Sequence, residues 1–185
     1  MTSTKQLETY INQEICKYDF YIKLDEYSGI ISSQVYDKKT GREIRIPFLY
    51  ISKDFNKNNE EDVRDLENLK LELSEIREGF TSLERLNIQA YSVCLEMDCG
   101  FIRYFYVPIY EVSGKALGIF IDERLTYDNI FVCIAVRTRS LSDAEIGSIG
   151  MIIHEEHLKS IDDLPITMEE LKIKARNILA ELSKF

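Results

Sequence analysis

The sequence predicts an α+β fold: a mainly antiparallel sheet of about seven strands in two meanders, or alternatively two smaller sheets, with an N-terminal helix, one central amphipathic helix and two C-terminal helices. Three observations predict it. Residues 18–52 and 86–136 alternate apolar with polar side chains, or run apolar throughout, between short polar turns. Apolar residues at intervals of three and four mark the segments before, between and after them. Strands joined by tight turns pair antiparallel, and no βαβ alternation occurs.

The first helix spans residues 5–17, with Leu7, Tyr10, Ile11 and Ile15 on one face and Ser3 and Gln6 at capping-box spacing. The period then changes to two. Tyr18, Phe20, Ile22 and Leu24 alternate along a strand over 18–25, and Ser28-Gly29 turns it into a second over 30–37. Lys38-Lys39-Thr40-Gly41 turns into a third over 43–52, where Pro47 lacks an amide donor and points to an edge or a bulge.

Asn58 or Asn59 caps the central helix. Its seam is Val63, Leu66, Leu69, Leu73, Ile76 and Phe80; Glu60, Glu61 and Asp62 suit the positive end of the dipole, and Gly79 is placed as the stop. Strands follow at 86–96 and 101–112 around Met97-Asp98-Cys99-Gly100. The second is aromatic on both faces through Phe101, Tyr104, Phe105, Tyr106 and Tyr110, so both are covered at least in part. Ser113-Gly114-Lys115 leads to a strand over 117–121. The wholly apolar run 130–136 reads as a central strand. Ser142 and Glu145 open a helix to about residue 159 that contains Gly147 and Gly150; Thr167 and Glu170 open the last, after the connector Asp162-Asp163-Leu164-Pro165. The expected organisation is a single domain over 1–185, with a possible sub-division at 1–55 and 60–185.

The net charge is −9, and it is unevenly placed. Residues 1–55 and 85–139 are balanced, whereas 56–84 hold four basic against nine acidic side chains and 140–185 five against nine. Such a field repels nucleic-acid phosphates and anionic lipid and speeds encounter with a basic protein. No apolar run reaches the roughly 20 residues that a bilayer requires. Cys16, Cys94, Cys99 and Cys133 include no C-x-x-C pair, and a chain of this size buries a core without staples; reduced thiols and a cytoplasmic location are expected.

Chemistry-bearing patterns are sparse. His154-Glu155-Glu156-His157 places two histidines at i, i+3, on one face if the segment is helical, where they are weak metal candidates; H-E-x-x-H is not formed and no third ligand is identifiable. Cys99 sits beside Asp98, which opposes a thiolate. G-x-S-x-G and the phosphate-loop patterns are absent. Glu96 with Asp98, and Asp122 with Glu123 and Asp128, are carboxylate groups that could hold a divalent cation, though the second lacks EF-hand spacing.

The stretch SSQVYDKKTGREIRI resembles the strand–turn–strand that opens the core of restriction-endonuclease-like nucleases. That family's metal-binding Asp is replaced by Arg45 and no E-x-K follows, so the resemblance implies no active site. VPIYEVSGKALGIFID is similar to a strand–turn–strand of GAF-type sensory domains, which would imply a small-molecule or dimerisation module.

These observations favour a non-enzymatic, acidic intracellular protein-binding module, such as an immunity or inhibitor protein neutralising a basic partner. It needs no cofactor and contacts the partner through Asp62, Asp65, Glu72 and Glu75. The alternatives are a dimeric escort chaperone for a secreted protein, paired through the 60–80 helix, and a sensory or ligand-binding domain.

Overall fold

The computed structural model describes residues 3–44, 46, 49–97, 100–112, 115–125, 129–137, 146–147 and 151–183. The fold is α+β and divides into two compact units, Met1–Glu78 and Gly79–Phe185.

In the first unit, helix α1 (Thr4–Ile15) opens with the expected capping box: the Ser3 hydroxyl accepts from the Gln6 amide while the Gln6 side chain accepts from the Ser3 amide. Leu7, Ile11 and Ile15 are buried. Strands β1 (Phe20–Tyr27) and β2 (Ile30–Asp37) pair antiparallel from Phe20 opposite Asp37 to Tyr27 opposite Ile30. Ser28 and Gly29 both take positive φ (51° and 81°), the geometry of a two-residue hairpin turn whose twist matches the strands. Strand β3 (Glu43–Ile44) is much shorter than the expected 43–52, although Ile46 and Ile51 are still buried. Pro47 lies outside the described residues.

The outer edge of β1 is closed by side chains of α1. The Asn12 carboxamide donates to the Ile22 carbonyl at 2.9 Å and accepts from the Ile22 amide at 2.7 Å, as a neighbouring strand would, and Glu8 accepts from the Leu24 amide at 2.8 Å. With β1 edged in this way and β3 only two residues long, this sheet ends at three strands. The expected single sheet of about seven strands is therefore corrected to two sheets, of three and six strands.

Helix α2 runs from Glu60 to Arg85 and is capped by Asn59, whose side chain accepts from the Glu61 and Asp62 amides. Leu66, Leu69, Leu73 and Ile76 are buried along the expected seam, while Val63 is 40% exposed. Gly79 does not end this helix. It is an interior position where a Cβ would come within 2.5 Å of the Phe105 ring, so the absence of a side chain admits that ring. The true stop is Asn87, at φ 57°: its amide donates to the Glu84 carbonyl and the Ile88 amide reaches back to Leu83, a Schellman closure.

The second unit holds β4 (Tyr91–Met97), β5 (Gly100–Val112), β6 (Lys115–Asp122), β7 (Ile130–Arg137), β8 (Ile146–Gly147) and β9 (Met151–Leu158), in the order β8-β4-β5-β6-β7-β9. All pairings are antiparallel except the short parallel contact of β8 with β4. Helix α3 (Leu164–Leu182) begins three residues before the expected Thr167, with Pro165 in its first turn where an amide donor is not needed. Leu164, Met168, Leu171 and Ala175 pack with Phe105, Ile119, Ile121, Ile130, Val132 and Ile134 in the main core, which Leu83 and Ile88 complete. Val93, Tyr104, Tyr106, Phe120, Cys133 and Ala135 form a second buried cluster. These residues pair across the strands, so they share the other sheet face, and the expectation of aromatic residues on both faces of β5 holds.

The helix expected over 142–159 is corrected: 151–158 is strand, leaving three α-helices among the described residues rather than four. Ser142, Glu145 and Gly150 lie outside those residues. The reason is long-range pairing. β7 is buried on both faces and needs a second hydrogen-bonded neighbour, which β9 supplies from Ile130 opposite Leu158 to Val136 opposite Met151, with an irregularity opposite Ile153. That ladder outweighs the helix preference of the Glu and Leu residues in this segment.

Candidate functional site

The charge arrangement of α2 follows from how its three cations between Glu60 and Glu78 are used. At 100° per residue, Lys70 and Arg77 fall on one flank of the buried stripe. Lys70 bridges Glu14 on α1 at 3.0 Å and Glu67 at 2.6 Å, and its side chain is only 15% exposed. Its hydrogen bonds to Glu67 and then Glu14 raise its pKa. Arg77 turns inward as well. Its Nε donates to the Tyr18 carbonyl (2.8 Å), and its Nη2 donates to the Asp19 carbonyl (3.2 Å) and to Asp37 Oδ1 (2.6 Å). The guanidinium lies 4.5 Å above the Phe20 ring centre. Burial opposes ionisation of Asp37, but hydrogen bonds from Arg77, Thr40 and the Lys39 amide outweigh it and hold the carboxyl below its ordinary range.

Two cations are thus drawn into the first unit. The outward face of this stretch keeps Arg64 together with exposed Glu60, Glu61, Glu67, Glu75 and Glu78. The expected contact residues are not gathered on it. Asp62 lies on the line of the buried stripe and accepts the Asn56 amide at 2.8 Å, as part of the helix entry. Asp65 is exposed and Glu72 half-buried along one flank, and Glu75 alone faces outward. Sequence reasoning missed Glu60, Glu61, Glu67 and Glu78 as outward carboxylates, although their angular distance from the Leu66–Leu73 seam was available to find them.

A cleft of about 480 Å³ lies in the same unit, lined by Leu7, Tyr10, Lys53, Asp54, Phe55, Asn56 and Lys57. The rings of Tyr10 and Phe55 meet at 5.9 Å between centres. Lys53 at its rim forms an ion pair with Glu26, which also accepts from the Thr4 hydroxyl, and both bonds lower the pKa of Glu26.

In the second unit the two histidines do not share a face. On a strand, positions three apart point to opposite sides. His154 pairs across from Ile134 and contacts Glu156 (2.9 Å) and Lys174 on α3 (3.1 Å), both through Nε2, whereas His157 stands opposite Phe131, with ring centres 5.3 Å apart. The i, i+3 metal pair expected from a helix is corrected accordingly. No group of three metal-ligating side chains occurs among the described residues. The carboxylates of the 122–128 loop are partly accounted for by ion pairs: Asp122 accepts from the Arg124 amide and guanidinium, and Glu123 pairs with buried Arg103. Asp98, Cys99 and Asp128 lie outside the described residues. Cys133 is buried, and burial, with the nearby Glu155 charge, pushes its thiol up to about 12, far from a nucleophile's range. Among the described residues, no helix is long and apolar enough to cross a membrane.

The chain matches no family model, no curated protein and no solved structure.

Proposed function

We propose that this chain is an acidic intracellular protein-binding module that neutralises a basic partner, in the manner of an immunity or inhibitor protein, without enzymatic activity of its own. The observation that carries this reading is the withdrawal of Lys70 and Arg77 into ion pairs within the first unit, beside an outward row of Glu60, Glu61, Glu75 and Glu78. A segment whose sequence holds three cations thereby presents one of them outward, and the local field is more negative than composition implies. The helix seam is buried in the chain's own core, so contact through α2 would use this charged face.

Affinity capture from native lysate at low and high salt tests the reading. Wild-type protein should retain a stoichiometric basic partner at low salt and release it at high salt. A variant carrying Glu61→Lys, Glu75→Lys and Glu78→Lys should not retain it. No partner at either salt, or capture indifferent to the three substitutions, overturns the proposal.

A ligand-binding module is the second reading, and the aromatic-walled cleft beside Lys57 is what favours it. A fragment screen by NMR should then give shifts confined to amides around Tyr10 and Phe55, and none at all would refute it.

A further inference from the structure

We infer that the outward face of α3 is a self-association surface, on which a second copy of this chain packs its own α3 antiparallel about a two-fold axis at Ile173. The inner face of this helix is fully engaged through Leu164, Met168, Leu171 and Ala175. Its outer face nevertheless carries Ile166, 69% exposed, and Ile173, 58% exposed, seven residues apart on one line of the helix and continued by exposed Ala180. Solvated helix faces rarely repeat β-branched apolar residues at this interval, because such residues add neither helix propensity nor solubility.

The flanking charges select the occupant and its orientation. Glu169, which also holds Lys172 at 3.0 Å, and Arg176, both exposed, border the stripe on the same side, one turn before and one turn after Ile173. A two-fold axis at Ile173 sets Ile173 against its own copy, Ile166 against Ala180 of the other chain, and Glu169 against Arg176 of the other chain, twice by symmetry. Parallel packing would instead set Glu169 beside Glu170 of the other chain, which like-charge repulsion disfavours, and Arg176 beside Asn177, with no opposite charge gained. Lys174 points away toward His154 and leaves the stripe clear. The span from Ile166 to Ala180 is about 21 Å of helix. That contact is smaller than the roughly 1,600 Å² of a standard interface, so the dimer should be weak and concentration-dependent.

Sedimentation of the full chain from about 1 µM to about 1 mM tests the inference. Wild-type protein should pass from monomer to dimer within that range, and Ile173→Lys should remain monomeric with an unchanged circular dichroism spectrum. Glu169→Arg should weaken association by about tenfold or more, and adding Arg176→Glu should restore it, since only a cross-chain pair is repaired by exchanging the two charges. A wild-type chain monomeric throughout, a dimer indifferent to Ile173→Lys, or a charge exchange that fails to restore association would each overturn it.

Discussion

Replacing Arg77 with Met removes the guanidinium but keeps most of the apolar stem over Phe20, so it isolates the polar clamp in the first unit. The bonds to the Tyr18 and Asp19 carbonyls and to Asp37 are among those lost. The carboxylate left behind is deeply buried, at 5% side-chain exposure, with the Thr40 hydroxyl and the Lys39 amide still donating to it. Removing one partner of such a pair costs about 3–5 kcal/mol, because an uncompensated charge stays in the interior. The Arg77 side chain is itself only 13% exposed, so little discount for solvent screening applies. Urea unfolding monitored by circular dichroism at about pH 7 and about pH 3 measures the effect. Asp37 has a folded pKa below its unfolded value, so its stabilising contribution is present above the unfolded pKa and is lost as pH falls through the folded one. The gap between wild type and Arg77→Met should therefore be widest near neutrality and narrow as pH falls below the unfolded pKa of Asp37 toward its lower folded one. A loss under about 1 kcal/mol at neutral pH, or a gap unchanged with acidification, would refute the clamp.

Asn12→Ala should cost about 1–3 kcal/mol in the same assay by stripping the Ile22 amide and carbonyl of their edge partner; Asn12→Asp, which keeps only the acceptor, should fall between it and wild type. Gly79→Ala separates two accounts of one residue: helix propensity alone promises about 1 kcal/mol of gain. The Phe105 ring in the way predicts a net loss instead, and a raised melting temperature would contradict that contact. Iodoacetamide applied to the folded protein should modify exposed Cys16 and spare Cys133, whose thiol is buried and shifted to about 12, with peptide mapping as the readout. A single domain over residues 1–185 predicts coincident unfolding transitions by tyrosine fluorescence and far-ultraviolet circular dichroism; two separated transitions would refute it.

Much of the local structure was legible because it depends on neighbours in sequence. The Ser3–Gln6 box, the β1–β2 hairpin around Ser28-Gly29, the Asn59 cap and the seam through Leu66 and Leu73 each need only a few adjacent residues to be specified. The wholly apolar run at 130–136 likewise announced a doubly covered strand. The outward carboxylates could be counted from the sequence but not freed of their cations. Nothing local to Lys70 or Arg77 shows that their partners are Glu14 and Asp37, many residues away.

What the sequence alone determined is the α+β class, the meander character of both strand-rich stretches, and the excess of acid along the central helix. Tertiary structure decided that those meanders form separate sheets, that Met151–Leu158 is strand rather than helix, and that Gly79 lies inside a helix. The division has a physical cause. Capping, turn geometry and amphipathic spacing are settled by energies acting within a few residues, whereas a strand edge, a ring seated over a glycine and an inward-turned guanidinium gain their free energy only once distant segments meet.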